Sequence, residues 1–583
     1  MSLSLATRIA TSSLRTTQAQ MAVTAGNIAN ADTTGYVRKT AEQSSTVTAG
    51  RNTGTTVTAI TSHMDAYLLR TKAAVEARAG GTAIRASYAT AAAEGLGSTV
   101  ADGSGDSLSS RLTTLQEALA SLVDTPESTT LKVQTVASLD DVASSLRQTS
   151  ADLQSLRRQA DSDIGTAVDS VNTALEAINS LNKDIVRAKA LGQPTGDLED
   201  QRMAHLHTVS AALEVGYSID SAGRMSVSTR SGTPLVNSSV HRLEFSTTST
   251  ITAESSYSAT PPSGLSGITL AGRDITASVK GGEIGALLEV RDSTLPALQA
   301  QLDDLAVTFA TAFNEAHAGG SAVPAPQTLT GTTVLDPAAA LAGSGTLRLA
   351  VVDDAGAVSG YQDFDLSSYA TVGDLIADLD AMAGVSAALD ADGHLVISAD
   401  DPDLGIALGE GAATIGGQRA TLALGTATVV TATGASDIRV AADLLAEPSR
   451  LATGSLSMEA SLAVGDTALT AGSQAQAEAM AAVLNDPLSF GAAGGLAAGS
   501  ATVAGRFTDI LGAATAAADS AETQAATQAT ALAHVDDLIA ARGGVNLDEE
   551  NARLSDLQQS YQAAATLLET AGAMFDALLD AVR

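Results

Sequence analysis

The sequence predicts a multidomain α+β protein, with a long helical coiled-coil or bundle core formed from both termini and β-rich domains inserted into it. Three observations predict this. Both ends carry apolar rows with a seven-residue period. Long stretches between them keep a helical period, and two internal stretches break into short alternating runs. The length, 583 residues, exceeds what one core supports, so several domains are expected.

The C-terminal row is Leu547, Leu554, Tyr561, Leu568, Phe575 and Val582, with a second row at Leu557, Ala564, Ala571 and Leu578. A strict heptad keeps one seam facing a partner helix. At the N-terminus Leu14, Met21 and Ile28 repeat the period, flanked by Ala10 and the weaker Thr7, Thr17 and Thr24. Neither seam has a partner adjacent in sequence. The termini are therefore expected to pair with each other or with the same ends of neighbouring copies. The expected assembly residues are Leu14, Met21, Ile28, Leu554, Tyr561, Leu568 and Phe575.

In chain order, residues 1–29 read as a helix ended by the turn formers of Asn30–Tyr36. Residues 40–62, rich in Thr, Ser and Val, read as extended, and a helix follows over about 63–100. Gly103–Asp106 punctuates it. Ser107-x-x-Ser110 opens a stripe of Leu112, Leu115, Leu119 and Leu122. A longer stripe, Leu139 to Ile185, predicts one unbroken helix, and another follows Pro194-Thr195-Gly196 to about Leu213.

Residues 215–280 alternate and predict strands. Residues 284–317 return to helix, which Pro296 should kink or break. Within 320–470, strands are expected at Thr346–Val352, Val358–Leu366, Val385–Leu389 and His394–Ser398, with a helix at Val372–Met382. Residues 473–540 are Ala-rich and helical, broken by glycines at 491–499, and Arg542-Gly543-Gly544 separates the last helix. The expected units are 1–62 with 541–583 (terminal coiled coil), 63–213 with 281–318 and 473–540 (helical bundle), 214–280 (β-rich) and 319–472 (acidic, β-rich, outer).

Composition narrows function. The formal charge of −33 argues against nucleic acid, whose phosphates need Lys and Arg. Residues 1–78 carry eight Lys/Arg against four Asp/Glu, whereas 330–470 carry four against nineteen, fitting a buried assembly end and a solvated middle. Cysteine is absent, and no signal peptide or 18-residue apolar stretch is apparent, so the chain is expected either in the cytoplasm or exported without a cleaved signal.

Chemical motifs are weak. His205 and His207, at spacing i,i+2, point about 200° apart on a helix and suit a solvated face better than a metal. Asp390-x-Asp392-Gly393 lacks the remaining ligands of a calcium loop and reads as a hairpin turn. No nucleophile–base–orienter set stands out among seven histidines. No enzyme activity, cofactor or metal is expected.

Three segments resemble the flagellar rod and hook axial proteins, and within them the hook-associated family. The first is the turn motif Asn27-Ile28-Ala29-Asn30-Ala31-Asp32-Thr33-Thr34-Gly35-Tyr36, in which Asn27, Asn30, Thr34, Gly35 and Tyr36 carry the pattern. The second runs from Gly281-Gly282-Glu283-Ile284-Gly285 through Arg291-Asp292 and Leu295-Pro296 to Ala312-Phe313-Asn314. The third is Gly544-Val545-Asn546-Leu547-Asp548-Glu549-Glu550 with Gln558–Ala563, Leu568–Ala571 and Met574-Phe575. Asp197–Arg202 adds a weaker match, and residues 345–400 resemble the small β-α modules of flagellin-like subunits. Thr34 stands where the hook-associated family usually carries Pro, and a Thr there is more like hook and rod proteins.

The resemblance implies a structural subunit of the hook–filament junction, exported unfolded by the flagellar type III apparatus to the cell exterior. Implied partners are a ring of identical subunits, hook protein below, a second junction protein and flagellin above, and an export chaperone, with neither nucleic acid nor membrane insertion. Ends that are partly disordered in the monomer would order on assembly. A hook or rod subunit stays open, as does an acidic secreted adhesin or a coiled-coil scaffold.

Overall fold

The computed structural model describes residues 3–33, 36–48, 50–62, 65–97, 107–260 and 263–582. The expected α+β multidomain architecture is present, with helices at both ends and in the body, and strands confined to small sheets.

Helix α1 (Leu3–Ala29) leads into a hairpin of β1 (Lys39–Thr48) and β2 (Arg51–Ser62), paired antiparallel. The sequence gives this ribbon as extended without revealing its turn. Helix α2 (Ala66–Leu96) follows, its N-terminus capped by the Asp65 carboxylate, which accepts from the Tyr67 N–H at 2.9 Å. The punctuation expected at 103–106 lies outside the described residues. Ser107 caps α3 (Leu108–Asp124) by accepting from the Ser110 N–H at 3.2 Å.

Helix α4 (Thr129–Ala190) is the spine of the body, 62 residues or roughly 90 Å long at the usual rise. Its stripe of Leu139, Val142, Leu146, Leu153, Ile164, Val168, Val171, Leu175, Ile178 and Ile185 is buried. That stripe packs on α3, on α5 (Gly196–Ala212) and on the helices after residue 281.

Between α5 and the next helix, residues 215–280 form two small three-stranded sheets. Helix α6 (Gly282–Glu289) then passes through a π-turn (Val290–Thr294) into α7 (Leu295–His317). Pro296 sits at the start of α7, and the π-turn before it is the disruption its missing N–H predicts. Gly282 has φ +76°, and a Cβ there would meet the Ala212 carbonyl oxygen at 2.4 Å. Gly282→Ala should therefore destabilise the body by at least roughly 2 kcal/mol. A lowered urea midpoint of the full chain checks this, and an unchanged midpoint contradicts it.

The segment after α7 carries a core of its own, built on Leu347, Leu349, Phe364, Leu375, Leu379, Leu395 and Ile397. Strand Thr346–Val352 pairs antiparallel with Val358–Asp365 on one side and Gly405–Glu410 on the other. Its near-continuous apolar run reflects burial of both faces. Leu347, Leu349 and Val351 join the first core, while Ala350 and Val352 join a second with Leu456 and Leu469. Helix α8 (Val372–Asp380) opens with a capping box between Thr371 and Asp374. Strands Thr328–Val334 and Gly405–Glu410 escaped the sequence reading. Two short helices, α9 (Ala420–Ala423) and α10 (Ala442–Ala446), precede the return to the body.

At that return, His317 is fully buried and neutral. Its Nδ1–H donates to the Ala427 carbonyl and its Nε2 accepts from the Ala452 N–H, both at 3.0 Å. Burial pushes the imidazole down to about 4. The unfolded chain takes up this proton near pH 6.5, so the group's stabilisation is complete above 6.5 and is lost as pH falls toward 4. The loss is expected to reach ~3 kcal/mol. Histidine NMR should show one ring titrating near pH 4, and seven ordinary midpoints would contradict this.

Helix α11 (Gln474–Asn485) rejoins the bundle, and a hairpin of Leu488–Phe490 with Gly499–Ala501 holds the glycine-rich patch in its turn. Helix α12 (Val503–Gly543) runs antiparallel to α2. Ion pairs Lys72–Asp536 at 2.7 Å and Arg542–Asp65 at 2.6 Å, with the Thr90–Glu522 hydrogen bond at 2.8 Å, tie the two. Helix α13 (Leu547–Val582) closes the chain. Among the described residues no helix is long and apolar enough to cross a membrane.

Candidate assembly site at the paired termini

Helices α1 and α13 pack against each other within one chain. Gln18 Nε2 donates to the Tyr561 hydroxyl at 3.3 Å and Asn27 Nδ2 to Glu550 at 3.1 Å, so the pair is antiparallel. The expected large residues do not form its tight seam. Leu14, Met21, Ile28, Leu554, Tyr561 and Leu568 are only half-buried, and Phe575 is 56% exposed. The buried positions are Ala10, Thr17 and Thr24 on α1, with Ala564 and Ala571 on α13. Small side chains let two helices approach closely, which leaves the large ones at the flanks. The signal was present, since those residues also recur at seven; size ranking hid it. Thr16 belongs to another face, where Thr55 of β2 donates to its hydroxyl at 3.3 Å.

Beyond the seam, Leu567, Met574, Phe575, Leu578 and Leu579 are all more than half exposed. Of these, Phe575 lines an open groove of about 1110 Å³ whose walls also include Leu3, Thr7, Arg15, Leu568 and Ala571.

The family turn builds a polar node at the other end of the pair. Asn27 is 1% exposed and makes four hydrogen bonds. Its Nδ2 donates to the Lys39 carbonyl at 2.9 Å and to Glu550, and its Oδ1 accepts from the Lys39 N–H and the Tyr36 hydroxyl at 3.0 Å each. Arg38 Nε donates to Glu550 at 2.7 Å, and the Arg38 N–H donates to the Gly543 carbonyl at 2.8 Å. Glu550 is likewise 1% exposed.

Lys39 carries the node into the body. Its ammonium pairs with Asp197 and, at 2.9 Å, with Asp200 of α5, and lies 4.6 Å from the Tyr36 ring centre. Burial pushes this ammonium down, but hydrogen bonds to the two carboxylates outweigh it and hold it above the ordinary lysine value. Asn30 ends α1 by donating from Nδ2 to the Gly26 carbonyl at 2.9 Å. Thr34 and Gly35 lie outside the described residues. The sequence reading missed Arg38, Lys39 and Glu550 as members of the node, although Glu550 closed one of the matched motifs.

The remaining candidates are structural. His207 Nδ1 lies 2.9 Å from Glu76 of α2, so it joins two helices rather than facing solvent alone, and His205 is half-buried. Asp390, Asp392 and His394 bring ligand atoms within 4.8 Å of one another, but the Asp390 carboxylate already accepts from the Asp392 and His394 N–H groups at 2.9 and 2.8 Å. That is the bonding of a hairpin turn.

Comparisons with known proteins agree with this layout. Residues 8–36 match the model of the flagella basal body rod protein, and 542–581 that of the flagellar basal body rod FlgEFG protein C-terminal region. Residues 93–331 match the model of the flagellar hook-associated protein FlgK helical domain.

The chain is 25% identical to flagellar hook-associated protein 1 of Escherichia coli (strain K12) over 327 residues, which cover 53% of this chain and 56% of that one. The Salmonella typhimurium protein of the same name is 25% identical over 318 residues, with the same shares. The chain thus spans about half the length of the curated relatives it matches. The structure of the flagellar hook junction protein FlgK from Burkholderia pseudomallei shares its fold, with a TM-score of 0.50 and 16% identity over 80% of this chain and 99% of that one.

Proposed function

We propose that this chain is a structural subunit of the bacterial flagellum that forms the ring joining hook to filament. The observation that carries this is the apolar end of α13, left uncovered by its own α1 and bordering an open groove. A copy of the same paired ends fills such a surface, and repetition of that contact closes a ring. The names of the relatives support the place of that ring.

The terminal unit (1–62 with 541–583) makes the axial contacts through Leu14, Met21, Ile28, Leu554, Tyr561, Leu568 and Phe575. The helical body (63–213, 281–318 and 473–540) makes the lateral ones, the β-rich piece 214–280 braces it, and the acidic unit 319–472 stays solvated outside. Partners are copies of the chain, hook protein below, a second junction protein and flagellin above, and a chaperone during export to the cell exterior. The seam of small residues is shallow, so the ends fray in the free subunit and order when neighbours cover them. The work is packing, without catalysis.

A hook or rod subunit is the second reading, since the terminal matches at 8–36 and 542–581 are shared with rod proteins. The match at 93–331 favours the junction. Electron microscopy of cells lacking this chain separates the two. Complete hooks without filaments, with filament protein lost to the medium, are expected; truncated or missing hooks support the second reading, and normal filaments contradict both.

A further inference from the structure

The rows that pair α1 with α13 are nearly self-similar. On α1, Ala10, Thr17 and Thr24 are all small and the two threonines identical, and on α13 Ala564 and Ala571 are identical. Sliding one helix by seven residues therefore sets small against small again, and the seam itself distinguishes registers poorly. The flanking rows repeat with the same period, so they add little discrimination.

The polar node does not repeat. Seven residues on either side of Glu550 stand Gly543 and Leu557, and neither offers a carboxylate. A slipped pair would strip Glu550 of its bonds from Asn27 and Arg38 and Asn27 of its bond to Glu550, although both Asn27 and Glu550 are 1% exposed. A buried polar group stripped of its partner is costly, and one polar residue in a small or apolar seam is known to fix helix register. We propose that Glu550 is the positioning residue that sets the register of the terminal helices, reading Asn27 of α1 and Arg38 of the following strand entry.

This has a consequence for assembly. Register decides how far the apolar end of α13 projects beyond α1, by roughly 10 Å for each seven residues. Every copy must project equally if a ring is to be level. The inference concerns the pair within one chain and stands whether or not the ring is at the hook junction.

The chain has no cysteine, so engineered pairs report cleanly. Gln18→Cys combined with Tyr561→Cys tests the observed register, since those two side chains touch. Gln18→Cys with Leu554→Cys or with Leu568→Cys tests slips of one heptad in each direction. With a bis-maleimide on the purified full chain, only the 18–561 pair is expected to cross-link efficiently. Adding Glu550→Leu should lower that yield several-fold and raise at least one slipped yield, whereas Glu550→Gln, which can still accept from Asn27, should restore the original pattern. Unchanged helicity by circular dichroism shows that the variants remain folded. An unaltered preference for 18–561 in Glu550→Leu would assign register to the chain connections, and equal loss in the Gln variant would assign it to charge alone; either overturns the proposal.

Discussion

Leu568→Asp is expected to leave expression and the helical body intact and to abolish filament attachment. Leu568 is half-buried on α13 and lines the groove beside Ala571 and Phe575. The main core, formed by residues such as Leu139, Leu175, Leu302 and Phe309, contains none of the terminal seam. A carboxylate at 568 therefore costs the free chain little, because it turns outward into water. Once a neighbour covers the groove it must be buried without a partner, which is strongly unfavourable. The readout is the fraction of hooks bearing filaments, against the secreted amount and the urea midpoint of the purified variant. Filaments at the normal frequency would remove the role given to this face.

The second large effect falls in the body. Asp161→Ala or Arg291→Met should lower its stability by about 3–5 kcal/mol, the cost of leaving one charge of a buried pair alone. Arg291 is fully buried, and its Nη1 donates to Asp161 at 2.6 Å. Its Nε and Nη2 donate to Asp292 at 2.8 Å, and Nη2 also to the Ser266 carbonyl at 2.9 Å. Asp161 in turn accepts from the Thr248 N–H at 2.6 Å, and Arg157 donates to the carbonyls of Arg291, Thr252 and Ser255 at 3.0, 2.9 and 2.6 Å. One network thus fastens α4, the π-turn and the β-rich piece. Equilibrium unfolding in urea checks the figure, and for Asp161→Ala a change below about 1 kcal/mol would show that Asp292 alone suffices to hold Arg291.

Legibility in the sequence followed physical cause. Helix α4 was readable because its stripe recurs over 62 residues and nothing interrupts it. The helix start at Ser107 and the disruption before Pro296 were readable because caps and proline act locally. Strands Thr328–Val334 and Gly405–Glu410 were not, since their partners are remote in sequence and their composition is Thr-, Gly- and Ala-rich. The pairing of α1 with α13 followed from two unpartnered heptads. Its geometry did not, because the eye ranks Leu above Thr, whereas close helix approach selects Ala10, Thr17 and Thr24. The node was half legible. Asn27 and Tyr36 stood out in the turn, but nothing local joins them to Glu550, 523 positions beyond Asn27.

Electron cryotomography of hook tips tests the central claim most directly, in cells that make this chain but no filament protein. A layer of density at the distal end of the hook is expected, present with the intact chain, absent on its deletion and absent with Leu568→Asp. Density for this chain along the hook or rod, or a distal layer that persists after deletion, would contradict a junction ring built from the paired termini.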